Sequence, residues 1–205
     1  MYKRQYLQHG IADAFLERLV AVAKGIEIGD PMNDSSEMGP LCTQAQITLA
    51  QTQIKRAIEQ GGKVLVGGKQ PGGMSGQFFE PTIIETPDPK AEIVHTELFG
   101  PVLSVLRFHD EAEVLRLANE SDYGLAAGIF TRDSARSLRM SQQIRAGIVW
   151  VNTYRAISPI AAFGGEKHSG YGREAGLQAL LDYTRPKTIW MNTSDEPLAN
   201  LFQPR

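Results

Sequence analysis

Glu97 and Phe99 stand two residues apart just before a Gly100–Pro101 turn, in the stretch EIVHTELFGPVLSVL that runs from Glu92 to Leu106. An ionised carboxylate accepts through two oxygens, so it can take hydrogen bonds from two neighbouring hydroxyls of one sugar. A flat aromatic face beside it can brace a planar ring, and a solvated glutamate next to a core-packed phenylalanine is the plain alternative. Gly100 frees the backbone while Pro101 fixes φ and removes a donor, so the helix-like segment ahead of them must stop there. Asn152 closes the apolar run GIVWVN. Its amide can donate to a polar group near a strand end; a turn asparagine is the alternative there.

Other reactive side chains make weaker cases. Cys42 precedes a helix predicted from Thr43, a position that can lower a thiol pKa. No histidine or carboxylate partner lies nearby in sequence, so a small buried hydrophobe is expected and no catalytic residue is assigned. His9, His95, His109 and His168 show no i,i+4 pairing and have no cysteine companions, so no metal site is expected. Gly170-Tyr171-Gly172 lacks the third glycine of a dinucleotide fingerprint and does not follow a strand, which makes it a backbone turn.

The elements that must position these residues read as follows. Lys3 to Gln8 is a short strand, and Ile11 to Ile26 a helix with Ile11, Phe15, Leu19 and Val22 or Ala23 on its core side. Thr43 and Gln46 form a capping box for a helix reaching Gln60, where Gly61-Gly62 ends it. Lys63 to Val66 is a strand, and Phe78 to Thr86 is extended with Pro81 at an edge or strand start. Strand 102–108, a helix opened by Asp110 with Glu113, strand 126–131, a helix from Asp133 to Ala146 and strand 147–152 then alternate. Such alternation implies an α/β fold, a mostly parallel sheet with helices on both faces, whose ligands gather at the carboxyl ends of strands. Thr153 to Gly172, aperiodic and glycine-bearing, reads as a site wall. Arg173 to Tyr183 is predicted helical and Lys187 to Asn192 a strand.

Composition bounds the function. With 205 residues, 42% hydrophobic and 21% charged, the chain is an ordinary globular domain rather than a disordered or disulfide-built one. A net charge of −2 excludes the electrostatic footprint of nucleic-acid binding. No apolar run approaches a membrane span, and MYKRQYLQHG has no signal-peptide core. With a single cysteine, these features lead to the expectation of a cytoplasmic protein.

ELFGP, NESDYGLAAGIFTRD, GIVWVN and FGGEKHSGYGRE, in that order and spacing, resemble the C-terminal half of the NAD(P)-dependent aldehyde dehydrogenases, from about Gln5 to Asn192. The resemblance implies a catalytic-domain-like fold truncated at its N-terminus: a partial catalytic domain over 1–184, an oligomerisation strand over 185–193 and a tail over 194–205. It assigns Glu97 to the nicotinamide ribose, Phe99 to the nicotinamide ring, and Asn152 to the aldehyde region. Phe163 becomes the substrate-tunnel aromatic, with Tyr154 and Ile157 at the entrance. By the family's spacing the nucleophilic cysteine falls just upstream of Met1, and the general-base glutamate and cofactor domain further upstream. The expectation is therefore a C-terminal piece of an enzyme that oxidises aldehydes to carboxylic acids. It is inactive alone and binds no cofactor by itself, NAD or NADP serving the complete enzyme. A homo-oligomer through 187–192 is the expected assembly, with a chain carrying the cofactor domain as a further partner. The alternatives are a non-enzymatic oligomerising or regulatory module, or one half of a split enzyme. Loss of a strand and its covering helix would expose apolar surface, with aggregation, self-association or partial disorder near residues 1–10 as the expected result.

Overall fold

The computed structural model describes residues 3–196 and 202. In chain order it contains β1 (Arg4–Gln8), α1 (His9–Lys24), α2 (Gln44–Glu59), β2 (Lys63–Val66), β3 (Thr82–Glu85), α3 (Glu92–His95) and β4 (Val102–Phe108). There follow α4 (Glu111–Asn119), β5 (Tyr123–Gly124), β6 (Ala126–Ile129), α5 (Ser134–Gln143), β7 (Ile148–Val151), β8 (Glu166–Lys167) and α6 (Ala179–Asp182).

Four strands form the main sheet, in the order β1-β4-β3-β2. β4 pairs in parallel with both β1 and β3, while β2 runs antiparallel to β3. Because successive side chains of a strand alternate, each face acquires its own core. Ile84, Val102 and Leu106 pack with Ile47, Ala50 and Ile54 of α2 and Ile93 and Val94 of α3. Ile83 and Val105 face the other way, with Leu7, Ala12 and Leu16. Both faces of the sheet are thus covered by helices, as the alternation of elements requires.

The remaining strands do not join that sheet. β6 and β7 form a separate parallel pair, and β5 and β8 an antiparallel one, so the expected α/β fold of mostly parallel strands and covering helices is present with its strands distributed over three sheets. β1 has a neighbour on one side only, and the apolar cluster of Val114, Ile129 and Met140 joins the two parts through the side chains of Tyr6 and Phe108. The Tyr6 hydroxyl also donates to the carbonyl of Leu117 at 3.3 Å.

Several expectations are corrected. On α1 the buried residues are Ala12 and Leu16, with Leu19, Val20 and Ala23 packed beside them, whereas Ile11 and Val22 are 57% and 67% exposed. Positions 12, 16, 19, 20 and 23 obey helical spacing as well as the predicted stripe does, and the small Ala12 lets the helix lie close to the sheet. Arg173 to Tyr183 is not a helix beyond the single turn of α6, because Ala175 and Gly176 have φ of 57° and 66° and Glu174 is bridged to Phe163. Lys187 to Asn192 forms no strand, and Ile189, Trp190 and Met191 are exposed. A strand needs a ladder partner, and none of the described residues supplies one. Cys42 is exposed, since Leu41 takes the packed position beside Gly100. Of the outcomes expected near residues 1–10, partial disorder does not hold for Arg4 to Gln8, which is paired along its whole length with Ser104 to Phe108. Of the predicted tail, 197–201 and 203–205 lie outside the described residues, as do Met1 and Tyr2. No helix among the described residues is long and apolar enough to cross a membrane.

Candidate functional site

α3, one turn long, sits directly before Glu97, and it is held from outside. On α2, Gln53 Nε2 donates to Glu92 at 2.7 Å and Arg56 Nη1 reaches both carboxylate oxygens at 2.7 and 2.8 Å. These donors, Gln53 first and then Arg56, hold the Glu92 carboxyl below the usual carboxylate range. Gln60 Oε1 accepts from the Glu92 amide at 3.2 Å. At the other end Arg4 of β1 donates through Nε to the carbonyl of Val94 and through Nη2 to that of His95 at 3.3 Å. The orphan carbonyls that any helix leaves at its C-terminus are thereby satisfied.

Downstream of this clamp, Leu98 is 4% exposed and enters the core beside α2 and α3, while Phe99 is 63% exposed and Glu97 is exposed as well. Leu98 therefore anchors the segment and its two neighbours stand out from it. The Glu97 carboxylate keeps both oxygens free of hydrogen bonds among the described residues. Close by in charge, Lys3 has its Nζ enclosed and without a hydrogen-bond partner among the described residues. Burial lowers its pKa to about 8, against the pull of Glu97. Arg4 is lowered too, by desolvation first, and its guanidinium lies 5.5 Å from the centre of the Tyr123 ring. Sequence reasoning missed Lys3, Arg4, Gln53, Arg56 and Glu92, since no spacing rule links residues so distant in the chain.

Asn152 follows β7 with φ of 52°, a left-handed conformation that asparagine tolerates. Its Oδ1 accepts from the Thr131 amide at 2.9 Å and its Nδ2 donates to the Thr131 carbonyl at 2.8 Å. The side chain thus extends the β6–β7 ladder by one rung, using one of the two N–H donors of its amide. Tyr154 is half-buried and meets Trp150 edge-on at 5.2 Å, while Trp150 Nε1 donates to the carbonyl of Ala156 at 2.9 Å. Ile157 is 67% exposed. Phe163 is half-buried and exchanges two backbone hydrogen bonds with Glu174, of 2.7 and 2.6 Å. A Cβ at Gly147 would lie 1.8 Å from the carbonyl oxygen of Gly164, so only glycine lets this loop close against β7.

Glu97, Phe99, Asn152, Tyr154, Ile157 and Phe163 line neither a water-sized hollow of about 10 Å³ beside Arg4 nor an open groove of about 620 Å³ along α1 and β2. Among the described residues no group of three or more histidine, cysteine, aspartate or glutamate side chains is placed to hold a metal. Glu97 and Phe99 thus present a carboxylate and an exposed ring, and residues 152–174 form a fixed loop.

Two expectations test this description. Asn152→Ala removes both amide hydrogen bonds and places a Cβ-bearing residue without a polar side chain at positive φ, so it should destabilise the chain by about 2 kcal/mol in urea unfolding, with Asn152→Gly recovering only part. Unchanged stability would mean that the amide is free for a ligand. For Lys3, the native state gives up its proton near pH 8 and the unfolded chain near 10.5. The unfolded state therefore binds more protons between those values, and stability rises with pH across that window. Lys3→Met should be more stable than the parent below pH 8, with the gap closing by pH 10.5; a gap independent of pH would show that the ammonium is not desolvated.

The profile of the Aldehyde dehydrogenase family matches residues 1–189. A (Z)-2-((N-methylformamido)methylene)-5-hydroxybutyrolactone dehydrogenase of Acinetobacter baylyi is 46% identical over 200 residues, 97% of this chain and 41% of that protein. A betaine aldehyde dehydrogenase of Brucella melitensis is 41% identical over 199 residues, 95% of this chain and 41% of the relative. The crystal structure of a Staphylococcus aureus betaine aldehyde dehydrogenase in complex with NAD+ superposes with a TM-score of 0.90 at 35% identity, over 98% of this chain and 41% of the other. The chain thus spans about two fifths of the length of these relatives. With the α/β architecture, the exposed Glu97 and Phe99 and a match over most of its residues, this chain belongs to the aldehyde dehydrogenase family.

Proposed function

We propose that this chain is the C-terminal part of an aldehyde dehydrogenase catalytic domain, contributing the nicotinamide-side wall of a site that oxidises an aldehyde to a carboxylic acid in the complete enzyme. The observation that carries this reading is the Glu97-Leu98-Phe99 arrangement, in which one buried leucine holds a free carboxylate and an exposed ring outward, on a chain whose family match runs over residues 1–189. The residues fit a dinucleotide: two unpaired carboxylate oxygens suit two adjacent ribose hydroxyls, and the Phe99 face suits the nicotinamide. When bound, NAD or NADP supplies the hydride acceptor. Glu97 then fixes the ribose, Phe99 limits the tilt of the ring, and Phe163 with Tyr154 and Ile157 excludes water along the substrate path. Asn152 supports that path by tying β7 to β6 rather than by touching the aldehyde. As the nucleophile of the family is a cysteine and Cys42 is the sole cysteine here, standing exposed beside a helix cap, the chain by itself lacks an assembled thiolate site. We infer a cytoplasmic setting for the complete enzyme.

Purified chain incubated with aliphatic and aromatic aldehydes and NAD+ or NADP+ should form no reduced nicotinamide above the blank. Aldehyde-dependent turnover abolished by Cys42→Ser would overturn the assignment and make the chain a self-sufficient catalyst.

A second reading, an oligomerising module, is favoured by one observation: Ile189, Trp190 and Met191 are 73%, 93% and 80% exposed in a segment without ladder partners. Unpaired backbone bearing such side chains is a template for another chain. Sedimentation should show self-association that Trp190→Glu weakens. A monomer at all concentrations would exclude an assembly role for residues 187–192.

A further inference from the structure

β1 and β4 run parallel with Gln8 beside Phe108, so the next residue of each strand, His9 and His109, leaves the sheet at the same end. Their imidazoles stack, with centroids 4.0 Å apart and planes inclined by 17°. Both residues are exposed, and neither ring is hydrogen-bonded among the described residues. His9 opens α1, and His109 leads into α4. The chain around them is fixed: the His109 amide donates to Glu113 Oε2 at 2.8 Å and the Glu113 amide to Asp110 Oδ1 at 2.9 Å. Asp13, one turn along α1, is paired with Arg107 at 2.7 Å.

We propose that His9 and His109 together bind a divalent first-row transition ion of the zinc or nickel class, through one ring nitrogen each, at the carboxyl ends of β1 and β4. Neutral imidazole suits these ions, whereas Mg²⁺ and Ca²⁺ select oxygen ligands. Asp110, Glu113 and Asp13 are engaged elsewhere and no third protein ligand is grouped with the pair among the described residues, so water completes the coordination. A tetrahedral ion with bonds of about 2.1 Å holds two nitrogens roughly 3.4 Å apart, a spacing that rings whose centroids stand 4.0 Å apart can reach by rotation about their side-chain bonds. Each lone pair lies in its ring plane, so the rings must swing apart to converge on one ion. Exposed rings without hydrogen bonds give up only their stacking contact to do so. The ion would tie the start of α1 to the lead into α4, joining the edge strand β1 to the central strand β4, and would stabilise the native state by mass action.

The test uses the untagged full chain, freed of metal with a chelator and titrated with ZnCl2 or NiCl2 by calorimetry and thermal unfolding. One ion per chain and a Tm that rises with metal concentration are expected, with no response to MgCl2. His9→Asn and His109→Asn should each weaken binding more than about tenfold, since loss of a mere supporting partner already costs that much at metal sites. Cys42→Ser should bind as the parent does. On the unaltered protein, Zn²⁺ should shift the ring resonances of His9 and His109 and leave those of His95 and His168 in place. Absence of binding, binding retained in the double variant, loss of binding in Cys42→Ser, or ring shifts confined to His95 or His168 would each overturn the proposal.

Discussion

A helix of one turn cannot hold its own shape, because fixing its dihedrals costs more than its single internal hydrogen bond returns. α3 is such a helix, closed by the Thr96 amide on the Glu92 carbonyl at 2.8 Å, and everything after it inherits its direction. The constraint comes from its neighbours. Arg4 is the stronger restraint, since hydrogen bonds from a charged donor to buried carbonyls contribute about 1.5–3 kcal/mol each. The Arg56–Glu92 pair is half exposed and serves mainly to set orientation. Between them the two grips fix where Leu98 enters the core, and that placement decides which way Glu97 and Phe99 face.

The same dependence explains what was legible in the sequence. Local chemistry was readable: Thr43 and Gln46 make both halves of their capping box, and β2 and β4 occupy the predicted residues. Asp110 caps α4 as expected, although the Glu113 side chain reaches back to the amide of His109 rather than to that of Asp110. What depended on distant neighbours was not. The apolar residues of α1 lie on two adjacent sides, and only the sheet beneath selects the face carrying Ala12 and Leu16. Residues 173–183 have helical composition, yet the backbone pairing of Glu174 with Phe163 and of Gly176 with Pro159 draws them into the loop wall. Asn152 was singled out by its place at a strand end, where it does lie; its partner, Thr131, sits two residues beyond the adjacent strand β6 and has no mark in the sequence.

Exposure sets the worth of the wall. A carboxylate in water interacts with a charge about 4 Å away by roughly 1 kcal/mol, and by about 4 once the surroundings fall to an effective dielectric near 20. Under their proposed role, Glu97 and Phe99, standing in solvent, would gain binding strength when a second surface covers them. Lys3 and Arg4, both partly desolvated, already sense the charge of Glu97. Covering Glu97 would strengthen their attraction to it, so closure itself would firm the wall.

Selectivity follows a different rule from anchoring. Pockets distinguish aldehydes by the contacts that surround them, at about 1–3 kcal/mol per methylene, which requires atoms on more than one side. Relatives named for a hydroxybutyrolactone derivative and for betaine aldehyde match 97% and 95% of this chain at 46% and 41% identity. Relatives named for such different compounds thus share much of this chain's sequence. Under the proposed role, Phe163, Tyr154 and Ile157 would form only one side of a substrate path, and discrimination between substrates would come from the surface opposite them.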